Sequence, residues 1–407
     1  MSGLDISRTQ WAERQVEELL SVPLVSEFVF RGPKHNDPTE KEVIDHLIIY
    51  NNQSILISQK AQEDPDKRDE RRNALWVLKN IQDALKPICG AIRQPGERPK
   101  WCEHPRRGKV DFPSLPPIVH AIAIAETWKP VDLRSSEADL PLDYMDVPIT
   151  YLSINDFLNL VMQLRSVPEL LEYLKARRAL SPATLRVVGD EKPLFELYLL
   201  NGGKFGSCTE LPDAKRATAA HSDLVEQALA RNADYQFFSG MLEHVADCLA
   251  VRDPNYAAGL PADALHLFDS DDNRKNYIML QELLTGLRLR ERAELGRAFH
   301  EVCERTRGQA QCLTFKAAHI DGIDRVFLFV SSKGWEKPRR LAVVTELAGG
   351  ALAAYKKRDC FVIIDRDGQH YDLALTRPDY VPTPNDEAVG EKHFQPLKMA
   401  TIDISQL

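Results

Sequence analysis

The chain has no CxxC pair, no apolar run approaching the ~20 residues that span a bilayer, and no basic, apolar leader between Met1 and Trp11. It also has no low-complexity segment, no convincing internal repeat and no heptad run of coiled-coil length. Each absence excludes a class. Seven unpaired-looking cysteines (Cys89, Cys102, Cys208, Cys248, Cys303, Cys312 and Cys360) are odd in number and match reduced thiols rather than a disulfide framework. Without a span or a leader, the sequence reads as a cytoplasmic protein with no membrane partner. Zinc is disfavoured too, because Cys102, His104 and His120 lack four-ligand spacing.

Positive charge is also in short supply. The net charge is −8, which argues against a protein that coats nucleic acid by bulk electrostatics. The cations are instead concentrated locally. From Lys86 to Val110 there are seven (Lys86, Arg93, Arg98, Lys100, Arg106, Arg107 and Lys109) against Glu97 and Glu103. Of these, Arg93, Arg98, Lys100, Arg106, Arg107 and Lys109 are the candidate phosphate contacts, in what reads as a proline-rich basic loop.

With 407 residues, 43% of them hydrophobic, the chain can fill more than one core. The pattern predicts an α/β protein in three parts: an N-terminal α/β domain over 1–190, a mainly helical region over 191–308, and a small α+β domain over 309–407. Arg8 to Leu20 reads as an amphipathic helix, with Trp11, Val16, Leu19 and Leu20 on one face. Strands follow at Leu24 to Phe30, Glu42 to Tyr50 and Ser54 to Ala61, then a helix from Asp66 to Ile92 with Leu75, Leu78, Ile81, Leu85 and Ile88 as its stripe. Ile118 to Ala125 and Ile149 to Leu152 read as buried strands, and Ser153 as a helix cap. In the tail, strands are expected at Arg325 to Val330, Phe361 to Asp365 and Tyr371 to Leu375, with a helix at Arg339 to Lys357 and an Asp367-Gly368 hairpin turn.

One pair stands out chemically. Alternation puts Asp45 on the face of Val43, Leu47 and Ile49, and Lys60 on the face of Leu56 and Ser58. An Asn52-Gln53 turn would place Asp45 directly opposite Lys60, whereas an Asn51-Asn52 turn would make them diagonal neighbours on the same face. Carboxylate and ammonium groups on adjacent strands suit metal-assisted phosphodiester cleavage, and equally a salt bridge inside the sheet. Asn201-Gly202-Gly203-Lys204-Phe205-Gly206-Ser207 lacks the frame of a phosphate loop, and Asp365, Asp367 and Asp372 fit turn and strand-edge positions.

A helix with glutamates, a three-stranded meander with Asp on the second strand and Lys ending the third, then a long helix: this order resembles the PD-(D/E)xK phosphodiesterase superfamily, particularly its restriction-like and nuclease-related branches, over about residues 10–95. The resemblance implies a restriction-endonuclease-like mixed sheet flanked by helices, a Mg²⁺- or Mn²⁺-dependent nuclease activity on DNA, and a role in bacterial defence or DNA processing. Asp45 would be the central metal ligand, Lys60 the motif lysine, and Glu18 (or Glu17 or Glu13) the helix carboxylate, with Glu27 as a further metal ligand. The (D/E)xK position here is Ser58-Gln59-Lys60, a serine standing where a second carboxylate is expected, and Gln62 could compensate through its amide oxygen. The rivals are an inactivated nuclease fold that binds nucleic acid or protein, and an assembly protein in which Asp45 and Lys60 form an internal ion pair. Residues 191–407 would sense, regulate, dimerise or meet a protein partner.

Overall fold

A computed structural model describes residues 22–26, 28–34, 42–61, 69–93, 101–104, 108–111, 116–135, 140–252, 281–376 and 380–394. Described residues up to Gln236, with Gln281–Leu289, form one compact unit; Phe237–Arg252 and residues from Arg290 form a second.

The first unit is built on an eight-stranded mixed sheet. Its strands are β1 (Val29–Lys34), β2 (His46–Tyr50), β3 (Gln53–Lys60), β4 (Trp101–His104), β5 (Gly108–Asp111), β6 (Ile118–Ala125), β7 (Asp143–Tyr144) and β8 (Val147–Ser153), in the order β5-β4-β1-β2-β3-β6-β8-β7. β1, β2 and β3 form an antiparallel meander, and β6 lies parallel to β3 and to β8. The parallel β3–β6 pair requires a crossover, supplied by helix α1 (Glu70–Arg93). Strands buried on both faces should read as continuous apolar runs, as Ile118 to Ala125 does.

Alternation divides the core between the two faces. Leu47, Leu56, Ala121, Ala123 and Tyr151 pack with Val77, Ile81, Ala84 and Ile88 of α1. The other face, with Ile48, Ile55, Ile57, Ile122 and Leu152, is covered by α2 (Ile154–Leu164), α3 (Val167–Arg177), α4 (Lys192–Leu200) and the start of α5 (Leu211–Ala220). Ser153 caps α2 as expected, its hydroxyl accepting from the Asp156 amide at 3.0 Å. Helix α6 (Ser222–Arg252) completes a largely helical middle of the chain.

Several local expectations change. Leu24 is in a helical turn, Pro23–Ser26, and the first strand starts only at Val29. Leu75 is not on the buried stripe of α1 but 58% exposed, because Val77, Ile81, Ala84 and Ile88 already fill that face at helical spacing. A proline within the helical stretch, Pro87, predicts a break or kink, yet the helix continues through it to Arg93. Most of all, the basic loop is not simply a loop: Lys86 and Arg93 lie on α1, and Trp101–His104 and Gly108–Asp111 pair as the antiparallel edge strands β4 and β5.

The second unit holds α7 (Leu289–Arg305), of which all but Leu289 belongs here, and a four-stranded sheet, β9 (Thr314–His319), β10 (Arg325–Ser331), β11 (Asp359–Asp365) and β12 (Tyr371–Leu375), paired in that order. β10 and β11 are parallel and joined by α8 (Lys337–Tyr355), against which α9 (Pro384–His393) packs. Val326, Leu328 and Val330 face Val344, Leu347 and Ala351 of α8. β9 had no clear sequence signal: all six of its residues are only half-buried. Gly368 takes φ +84° in the Asp367-Gly368 turn expected between β11 and β12.

A buried polar knot ties α3 to the chain that follows it. Arg177 donates to both oxygens of Glu191 at 2.7 and 2.9 Å, Tyr173 donates to Glu191 Oε1 at 2.6 Å, and Asp156 accepts from the amides of Gly189 and Glu191. Both ion-pair side chains are almost fully buried, so Arg177→Ala would leave Glu191 buried without its counter-charge, costing about 3–5 kcal/mol; urea unfolding measures this, and Arg177→Ala with unchanged stability would refute it.

His120 supplies a pH test. Its ring is buried, with Nε2 2.9 Å from Thr150 Oγ1. Burial first, then Arg178 and Arg177, hold its pKa down to about 3. An unfolded histidine titrates near ~6.5, so the folded state binds this proton less readily. The stability present above ~pH 6.5 is therefore lost as pH falls towards ~3, by up to about 4–5 kcal/mol for this group. Thermal unfolding between these pH values should show a flatter profile for His120→Asn than for the parent chain.

Candidate functional site

The site forms where β2 begins and β3 ends. The β2–β3 turn is Asn51-Asn52, with φ +47° and +56°. Two central residues with positive φ make the tight turn whose twist matches a hairpin. Tyr50 then pairs with Gln53 and His46 with Ile57, which puts Asp45, one residue before β2, beside Ser58. Of the two registers compatible with the sequence, the diagonal one is adopted. Asp45, Ser58 and Lys60 share the sheet face that α1 covers, at its polar end.

Asp45 Oδ2 accepts the Ser58 hydroxyl at 3.0 Å and the Gln59 amide at 2.6 Å, and lies 4.0 Å from Lys60 Nζ. Among the described residues, its Oδ1 accepts no hydrogen bond. The Asp45 and Lys60 side chains are 24% and 36% exposed, so water and a ligand can reach both. Ser58 is fully buried. It therefore acts on the carboxylate and does not face solvent.

The opposite face carries residues that sequence reasoning passed over. His46 and Gln59 are 4% and 6% exposed, and among the described residues His46 Nδ1 and both amide atoms of Gln59 lack partners. Burial is the main cause that lowers the His46 pKa to about 4; Asp45 raises it and Arg31 lowers it further. The available signal was alternation: Gln59 follows Ile55 and Ile57 onto an apolar face.

The other candidates are distributed differently. Glu18, Glu27, Gln62, Arg98, Lys100, Arg106 and Arg107 lie outside the described residues. Arg93 does not offer a free guanidinium: its Nε and Nη2 donate to the Tyr144 hydroxyl at 3.0 and 2.8 Å. Lys109 is on β5, paired in register with Glu103. Cys102 and His104 are buried strand residues; burial pushes the Cys102 thiol up to about 12, and the His104 ring packs on Phe30. Among the described residues, no group of three or more His, Cys, Asp or Glu side chains is arranged to hold a metal. Asp45 contributes a carboxylate oxygen here, which suits Mg²⁺ only if water, phosphate oxygens or further carboxylates complete the shell. A separate cavity of about 350 Å³ is lined by Asp156, Gln163, Glu191, Lys192 and Phe195, none of which the sequence singled out. No helix among the described residues is long and apolar enough to cross a membrane.

The roles of Asp45 and Lys60 separate by stability. Asp45→Ala leaves the Ser58 hydroxyl and the Gln59 amide without their charged acceptor, an expected loss of about 1.5–3 kcal/mol. Lys60→Ala removes only a long, half-exposed contact and should change stability by less than about 1 kcal/mol. Chemical denaturation of both variants checks this, and equal losses would mean that the ion pair dominates.

No protein-family model matches this chain, and neither a curated protein nor a solved structure shows significant similarity to it.

Proposed function

We propose that the first unit is a divalent-metal-dependent phosphodiesterase of the PD-(D/E)xK type that acts on DNA. The observation that carries this reading is the meeting of Asp45 and Lys60, 4.0 Å apart, at a half-exposed end of an otherwise apolar sheet face. The meander, crossover helix and parallel strand supply the scaffold this chemistry uses, although fold alone never implies activity.

In this reading Asp45 has divided duties. Oδ2 is held by Ser58 and the Gln59 amide, which fixes the carboxylate plane, while Oδ1 is left to bind Mg²⁺ or Mn²⁺. The ion would supply charge neutralisation at the scissile phosphate and lower the pKa of a bound water. Lys60 would orient the attacking water and offset charge developing on phosphorus. Glu18, Glu27 and Gln62 are the sequence's candidates for completing the metal shell, and Arg98, Lys100, Arg106, Arg107 and Lys109 for contacting the DNA backbone.

A second reading, binding without cleavage, is favoured by one specific feature. Ser58 stands where a second carboxylate is expected, and its hydroxyl occupies an Asp45 oxygen. A protein partner or a second copy could then use the same surface.

Incubation of the full chain with single-stranded, duplex and supercoiled DNA and with RNA, in Mg²⁺, Mn²⁺ or EDTA, distinguishes the two. Cleavage that needs metal and is lost in folded Asp45→Asn and Lys60→Ala variants is the expected result, with a fall in rate of at least ~10²-fold. Binding that survives EDTA unchanged, with no cleavage of any substrate, would refute the enzyme and leave the binding module.

A further inference from the structure

β10 and β11 run parallel, so residues 332–336 leave the sheet at the carboxyl end of β10 just before α8 begins at Lys337. Open α/β sheets bind ligands at such ends, because strand ends and helix amino termini present unpaired backbone groups there. With the first turn of α8 included, the stretch 332–340 is basic: Lys333, Lys337, Arg339 and Arg340 face one carboxylate in sequence, Glu336. Glu336 is the N-cap of α8, yet its side chain makes no capping hydrogen bond. Pro338 has no amide hydrogen, so the first-turn donors that lack a helical partner are the amides of Lys337 and Arg339.

A helix amino terminus by itself is no site, but two buried side chains point to one. Alternation places Ser332 on the same sheet face as Val330, which packs under α8. Arg340 lies one helical turn before Val344, a member of the same core. Both residues therefore lie where α8 begins over the sheet. Ser332 is 1% and Arg340 4% exposed, and among the described residues neither Ser332 Oγ nor Arg340 Nε has a hydrogen-bond partner. The remainder of the guanidinium is engaged, Nη1 with the Trp335 carbonyl at 3.1 Å and Nη2 with Asp372 at 3.0 Å. Arg340 is thus locked in place through both terminal nitrogens, with Nε unused.

The surrounding charges favour an anion. Asp372 is already shared between Arg340 and Arg366, the latter at 3.7 Å. Lys337 and Arg339 are exposed beside the helix start, and Arg339 stacks over the Trp335 ring at 4.3 Å. Preorganised hydroxyl, guanidinium and amide donors with flanking cations match the several oxygens of one phosphoryl group better than any cation. We propose that the β10–α8 turn binds a phosphoryl group, carried by a nucleotide, by a nucleic-acid 5′ end or as free phosphate. Ser332 and Arg340 are its buried donors, the Lys337 and Arg339 amides its backbone donors, and Lys337 its mobile counter-charge. This site is independent of Asp45 and Lys60.

Isothermal titration of the full chain tests it, in EDTA so that no metal-dependent cleavage consumes a probe, and at constant ionic strength. The probes are inorganic phosphate, ATP, and a DNA oligonucleotide with either a 5′-phosphate or a 5′-hydroxyl. At least one phosphorylated probe should bind, and which one does identifies the source of the group. Ser332→Ala removes a single oxygen and should weaken that binding at least ~10-fold with an unchanged melting temperature. Lys337→Ala, at an exposed position, should weaken it less and make it less sensitive to salt. Failure of every phosphorylated probe to bind, or an affinity unchanged in Ser332→Ala, would overturn the proposal.

Discussion

The candidate site of the first unit depends on the register of one hairpin. Asn51 and Asn52 can both adopt positive φ at modest cost because their short amide side chains tolerate the left-handed region. Their two-residue turn locks Tyr50 to Gln53, and every later pair in the ladder follows. A slip of one residue would turn Leu56, Ser58 and Lys60 towards the opposite core, and Ile55, Ile57 and Gln59 towards α1. The apolar residues on both faces oppose that slip, so the position of the Asp45 carboxylate beside Ser58 is set by packing and turn geometry together.

That register also explains what kind of ion pair this is. Asp45 is held mainly by a hydroxyl and a backbone amide, at 3.0 and 2.6 Å, while Lys60 stands further off. Short hydrogen bonds to a carboxylate orient it strongly, whereas a 4.0 Å contact between half-exposed groups adds little. The lysine is consequently left free to move towards a ligand.

Both units use a strand, a crossover helix and a parallel strand, and in both the strand before the helix runs into Ser-x-Lys: Ser58-Gln59-Lys60 and Ser331-Ser332-Lys333. The likeness stops at the face presented. Ser58 and Lys60 point to the side covered by α1, whereas in the second unit Ser332 lies on the side of α8. Ser331 points away and donates to Asp365 at 2.9 Å. Identical spacing therefore produces different surroundings, because a strand presents each residue according to its parity and not its motif.

Local patterning was enough to specify the periodic elements: the meander, the crossover helix α1, the buried strands β6 and β8, the Ser153 cap and the Asp367-Gly368 turn. Each is written in local patterns of apolar spacing or turn chemistry, and Asp45 with Lys60 was legible as a shared-face pair for the same reason. Contacts between distant segments set which turn register was used, that Arg93 would be taken by Tyr144, that part of the basic stretch would pair as edge strands, and that Gln59, Ser332 and Arg340 would be buried with polar atoms unpaired among the described residues. These outcomes depend on residues distant in sequence meeting across a sheet or beneath a helix. Local periodicity fixes the face of its own element that a side chain occupies, but not the group that will cover it.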